Sequence, residues 1–135
     1  MYGRNLPSIM RDVFGEDLFS PMRLADDGRR CWAPAVDIFE EDAILHLHFD
    51  VPGVDKDAIK VEFHDGVLSV SGQRKSVHET ANWLGRERWV GEFTRSFRIG
   101  EVYDPKSIGA KFDNGILMVT IGKREESKPM TIKVS

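Results

Sequence analysis

The 135-residue chain predicts an all-β fold, an antiparallel sandwich, on two observations. From Trp32 to Arg124 apolar residues recur with a period of two, and turn pairs separate the runs with no helical pattern between them. Leu45, Leu47 and Phe49 alternate with His46 and His48; Ile59, Val61 and Phe63 alternate with Lys60, Glu62 and His64; Leu117, Val119 and Ile121 alternate with Met118 and Thr120. Successive strand side chains point to opposite faces, so each run has one face to bury. Pro52-Gly53, Asp65-Gly66 and Asn114-Gly115 fall between the runs and accept the backbone angles of tight turns, so hairpins are expected there. Short strands at this spacing, without crossover helices, argue an immunoglobulin-like antiparallel β-sandwich.

The pattern divides the chain into three parts. Residues 1–31 form an amino-terminal arm in which Ile9, Met10, Val13, Phe14 and Leu18 recur at helical spacing, interrupted by Gly15 and ended by Pro21. Such short amphipathic turns need another surface to cover them. Residues 24–30 (LADDGRR) are polar around a central glycine and read as a linker. Residues 32–124 are the sandwich. Residues 125–135 are a charged, flexible tail in which Ile132 and Val134 stand as an isolated apolar pair.

Composition narrows the function classes. Nineteen basic against 22 acidic residues give a net charge of −3, with the charges interleaved, so a phosphate-tracking basic stripe is missing and nucleic acid is not an expected partner. One cysteine, Cys31, excludes an intrachain disulfide, and residues 1–14 carry no apolar core of signal-peptide length; the expected compartment is the cytoplasm, with no membrane span. No nucleotide-binding glycine pattern and no nucleophile elbow occurs, and no cofactor is expected. His46 and His48 share a strand face and could hold zinc, but no third ligand stands at a telling spacing, which favours a solvated face. Asp26-Asp27 and Glu40-Glu41-Asp42 read as turn charges, and Ser69 and Ser71 as strand-face serines.

Three features ask for a partner. Residues 74–90 are a long polar stretch carrying Trp83, Leu84 and Trp89, too long for a local hairpin and too aromatic to be left in water; Trp83 and Leu84 are expected on a strand donated to another copy's sheet. Arg95 lies between Phe93 and Phe97 at strand spacing, so its guanidinium shares their face, where it either pairs with an acid in a buried or interfacial site or snorkels to solvent. Ile132 and Val134 either form a last strand on their own domain or insert beside an open sheet edge of a neighbour.

Several segments in order resemble the small heat-shock proteins and their α-crystallin domain. Residues 110–117, Ala-Lys-Phe-Asp-Asn-Gly-Ile-Leu, are similar to the family's A-x-x-x-N-G-x-L signature, and Ile132-Lys133-Val134 to its I/V-x-I/V tail motif. Trp32 to Ile38 resembles the start of the family's domain. Asp50-Val51-Pro52-Gly53-Val54 resembles its D-L-P-G-V turn, residues 66–74 its G-x-L-x-I-x-G-x-R strand, and residues 87–97 its E-R-x-x-G-x-F-x-R-x-F segment. Gly100 and Gly122 depart from the pattern where the family commonly has proline, which predicts less rigid corners, and the amino-terminal arm is short for the family.

The resemblance implies a non-enzymatic, ATP-independent holdase that keeps partly unfolded clients soluble for ATP-dependent chaperones. It implies a dimer formed by strand exchange and assembled into a larger homo-oligomer. Arg95 would stabilise the dimer interface, with Glu87 of a second copy taken as its acid. The tail pair Ile132 and Val134 would dock in a groove between the strand of Ile59, Val61 and Phe63 and the strand of Ala110 and Phe112. Clients would meet Ile9, Met10, Val13, Phe14 and Leu18. A co-chaperone sandwich of the p23 type is the alternative, but it should lack both the 74–90 stretch and the tail pair; a carbohydrate-binding sandwich should show aromatics on an open sheet face.

Overall fold

The structure, a computed structural model, describes residues 22–24, 30–125 and 131–134. The helical spacing expected in the amino-terminal arm, and its apolar residues Ile9, Met10, Val13, Phe14 and Leu18, lie outside the described residues. The strands are β1 (Met22–Leu24), β2 (Arg30–Trp32), β3 (Val36–Glu41), β4 (Ile44–Asp50), β5 (Lys60–His64), β6 (Val67–Arg74), β7 (Gly91–Arg98), β8 (Gly109–Asp113) and β9 (Ile116–Gly122). They form two sheets, one ordered β1-β2-β7-β6-β5 and the other β3-β4-β9-β8. Among the described residues every strand pairing is antiparallel except β2 with β7, which meet in parallel at Trp32 and Phe93.

The period-two runs are the core. Leu45, Leu47 and Phe49 of β4 and Leu117, Val119 and Ile121 of β9 face Leu68 and Val70 of β6 and Phe93 and Phe97 of β7, all buried. The Phe49 and Phe97 rings sit 5.9 Å apart across the sandwich, in the tilted arrangement that aromatic quadrupoles favour. β6 has no side chain at Gly72, and a Cβ there would lie 2.5 Å from the Phe93 ring, so the glycine is what lets Phe93 lie flat on the sheet.

Two expected hairpins form as the turn chemistry requires. Asp65 and Gly66 have φ of 52° and 77°, Asn114 and Gly115 of 53° and 76°, the positive pair of a turn whose twist matches its strands. The hairpin expected at Pro52-Gly53 does not form; this corner carries the chain from β4 in one sheet to β5 in the other, through a 3-10 turn at Lys56–Ala58. Val51 N–H donates to Gly115 O at 2.9 Å, which pins the corner to the β8–β9 hairpin and leaves Asp50 with no continuing strand. A further tight turn joins β3 to β4 at Asp42-Ala43, with φ of 55° and 62° and no glycine to mark it.

Residues 24–30 differ from the linker reading at both ends, since Met22–Leu24 pairs with Arg30–Trp32 as the edge of the five-stranded sheet. Three-residue strands are too short to show a period, so the sequence pattern could not separate them from a linker. Gly100 differs from the family's proline for a physical reason: its φ is 89° and its N–H donates to Gly66 O at 3.1 Å, and proline can do neither. Among the described residues no helix is long and apolar enough to cross a membrane.

Candidate interaction surfaces

The sheet order leaves β5 and β8 as edge strands, one from each sheet. Between them lies a concavity of about 230 Å³ lined by Ile59, Val61, Ala110, Phe112 and Leu117 and rimmed by Lys56, Asp57 and Lys111. The structure thus brings together four of the five groove residues expected from the sequence. Phe63 does not line the groove; it packs half-buried against the core. An edge strand presents unpaired backbone groups, so this groove offers both hydrogen-bonding edges and an apolar floor. Ile132 and Val134 are 82% and 92% exposed, without a strand on their own domain.

Residues 75–90 contain no strand and are exposed almost throughout. Leu84 is 97% and Trp83 46% exposed. The Trp83 ring carries the Arg86 guanidinium at 4.2 Å and meets the His78 ring edge-on at 6.5 Å, while Arg86 donates to Ser76 Oγ at 3.0 Å. These local contacts give the tip a shape but do not cover it. Glu87 is exposed in the same stretch.

Arg95 does share the inward face with Phe93 and Phe97, and at 5% exposure it does not snorkel. Its Nη1 donates to Pro34 O at 2.9 Å and its guanidinium lies 5.1 Å from the Phe97 ring. It therefore ties β7 to the lead-in of β3, the edge of the opposite sheet. The His46-x-His48 pair packs on Phe39, whose ring stacks on His46 at 4.6 Å and meets His48 edge-on at 5.2 Å. Among the described residues no group of three histidine, cysteine or acidic side chains is placed to hold a metal ion. Ser69 Oγ shares a hydrogen bond with Ser96 Oγ at 3.1 Å on the outer face of its sheet.

One buried polar residue escaped the sequence reading. Arg74, the last residue of β6, is 8% exposed, with its guanidinium 4.3 Å over the Trp32 ring. Nε and Nη2 both donate to Trp89 O, and Nη1 donates to Pro52 O at 3.2 Å. Burial, and secondarily the Arg88 charge, holds its pKa below the usual arginine value. The available signal was the β6 alternation: Leu68, Val70, Gly72 and Arg74 occupy one face, so the arginine had to enter the sandwich or end the strand.

The comparisons agree with this architecture. The model of the Hsp20/alpha crystallin family matches residues 37–135. A chloroplastic 22 kDa heat shock protein of Chlamydomonas reinhardtii is 42% identical over 67% of this chain, which spans 60% of that relative's length. Small heat shock protein C2 of Rickettsia felis is 32% identical over 99% of this chain and 87% of its own. Among solved structures, a small heat-shock protein from Xylella fastidiosa, described as having a distinct high order structure, superimposes with a TM-score of 0.66 at 35% identity, covering 77% of this chain and 97% of its own. With two sheets that superimpose on a small heat-shock protein, a groove between their edges and a family match over most of its length, the chain belongs to the Hsp20/alpha crystallin family, the small heat-shock proteins.

Proposed function

We propose that this chain is an ATP-independent holdase that assembles by two separate contacts and captures partly unfolded proteins. The observation that carries the reading is a complementarity within one molecule. Apolar side chains are left exposed on two appendages, Trp83 and Leu84 on one and Ile132 and Val134 on the other, while an apolar groove stands open between β5 and β8. Appendage and groove are what two copies need to engage each other through sheet edges.

In this reading Trp83 and Leu84 pass to a second copy's sheet to make the dimer. Arg95 braces the edge beside β3 and meets Glu87 of that copy. Ile132 and Val134 seat in the Ile59, Val61, Ala110 and Phe112 groove and join dimers into a larger assembly. The high order structure described for the Xylella protein supports such assembly here. The arm ahead of β1 presents Ile9, Met10, Val13, Phe14 and Leu18 to clients, whose exposed apolar segments it matches, and many copies in one assembly turn weak contacts into capture. Holding uses no nucleotide and no catalytic residue. Clients then pass to ATP-dependent chaperones, and the lone Cys31 suits a reducing cytoplasm.

The reading is tested by heating an aggregation-prone client with the full chain and no ATP while recording light scattering. Suppression at near-stoichiometric subunit ratios is expected, and its loss on removing residues 1–20. Scattering identical with and without the chain contradicts the holdase.

A further inference from the structure

Residues 75–90 leave the sheet after Arg74 and return to it at Gly91, and their two feet are held very differently from their tip. At the outgoing foot, Arg74 turns its guanidinium inward over Trp32 at 4.3 Å. From there it reaches the incoming foot with two donors to Trp89 O, and the inter-sheet corner with one donor to Pro52 O at 3.2 Å. Trp32 itself donates from Nε1 to Gly91 O at 3.0 Å, a second tie on the incoming foot. Four separated segments meet at one side chain: the end of β6, Trp32 of β2, the Pro52 corner and Trp89. Only an arginine supplies a planar, forked set of donors that can satisfy two carbonyls while stacking on an indole; a lysine ammonium can do one or the other.

We infer that Arg74 is a positioning residue for subunit exchange: it clasps the base of the extension shut, so that the exposed Trp83 and Leu84 are offered to a second copy from a fixed root. The inference rests on the proposal that the extension makes the dimer. Its physical content is entropic. A segment whose feet are fixed loses less freedom on docking than one swinging from Gln73 to Glu92, and the saving appears as affinity without any contact between Arg74 and the second copy. The buried site also explains why the sheet tolerates a charge there, because each donor direction toward the feet meets a carbonyl.

The test compares the full chain with Arg74→Met, Arg74→Lys and a deletion of residues 79–86, using two readouts: the dilution at which copies separate into monomers, and hydrogen exchange of individual amides. Arg74→Met is expected to raise the dissociation constant at least tenfold and to speed exchange across residues 87–91 by more than it speeds the β4 and β9 amides, which report global opening; Arg74→Lys, keeping charge but not the fork, should recover only part of the affinity. Parent affinity in both arginine variants, while the deletion is monomeric, overturns the clasp and leaves the exchange reading standing. A deletion variant that stays dimeric overturns the exchange reading, and the clasp with it. If Arg74→Met fails to fold, Arg74→Lys carries the same comparison, and failure of both to fold makes Arg74 a residue of the core, which equally overturns its role at the extension.

Discussion

Two arginine–tryptophan pairs of nearly equal geometry stand at opposite ends of one segment. Arg74 lies 4.3 Å over Trp32 at the root of the extension, and Arg86 lies 4.2 Å over Trp83 at its tip. The first pair is buried and joined by hydrogen bonds to Trp89, Pro52 and Gly91; the second is exposed, with Ser76 as its further hydrogen-bond partner. The same contact distance therefore carries different consequences. A cation over an aromatic face is worth about 0.5–1 kcal/mol in water and about 2 or more where water is excluded. Removing one member of the buried pair also breaks its hydrogen bonds to the part-buried carbonyls of Trp89, Pro52 or Gly91. The root belongs to this chain's own fold, whereas the tip leaves Trp83 and Leu84 exposed, and a second copy's sheet is its proposed partner.

The difference can be broken or sharpened by substitution. Trp32→Ala should have the largest effect on the stability of the single chain, about 3–5 kcal/mol, because it empties a buried aromatic site and uncovers Arg74; chemical denaturation reads it, and a loss below about 1 kcal/mol would place the root outside the core. Ile132→Ala with Val134→Ala removes roughly 3–6 kcal/mol of burial per docked tail before entropy is counted. Large assemblies should fall to dimers by light scattering with the melting temperature of the sandwich nearly unchanged, whereas the parent mass would refute tail docking. Gly72→Ala pushes a methyl into the Phe93 ring and should destabilise by about 1–3 kcal/mol, a test of whether the inward face of β6 next to Arg74 is as tightly packed as its geometry says. Arg86→Ala should be the mildest, at most about 0.5–1 kcal/mol on a surface pair, visible as a change in Trp83 fluorescence rather than in denaturation midpoint.

What the sequence shows about this molecule follows the same division. The longer strands with one buried face are legible, because β4 and β9 repeat apolar side chains every second position, β6 and β7 do so at Leu68 and Val70 and at Phe93 and Phe97, and Asp65-Gly66 and Asn114-Gly115 announce their turns. β1 and β2 are too short to repeat anything, and the parallel contact between Trp32 and Phe93 joins positions 61 residues apart that no local pattern relates. Pro52-Gly53 reads as a hairpin because turn chemistry reports that a chain bends and not which sheet it enters next. Arg95 is legible as an inward charge from its place between two phenylalanines. Arg74 carries the same alternation, but Gly72 interrupts the apolar series and an arginine at a strand end reads as surface. The groove is placed by resemblance to the small heat-shock proteins; Ile59 and Val61 lie 49 or more residues before Ala110 and Phe112, so period and spacing alone do not assemble it.

The extension is the proposed contact between copies. Sedimentation of the full chain beside a variant lacking residues 79–86, at equal concentration and with far-ultraviolet circular dichroism recorded on both, tests that most directly. A β-sandwich spectrum is expected in both samples, with the parent dimeric or larger and the variant reduced to a folded monomer. A variant that keeps its β spectrum and still sediments as a dimer would contradict that contact.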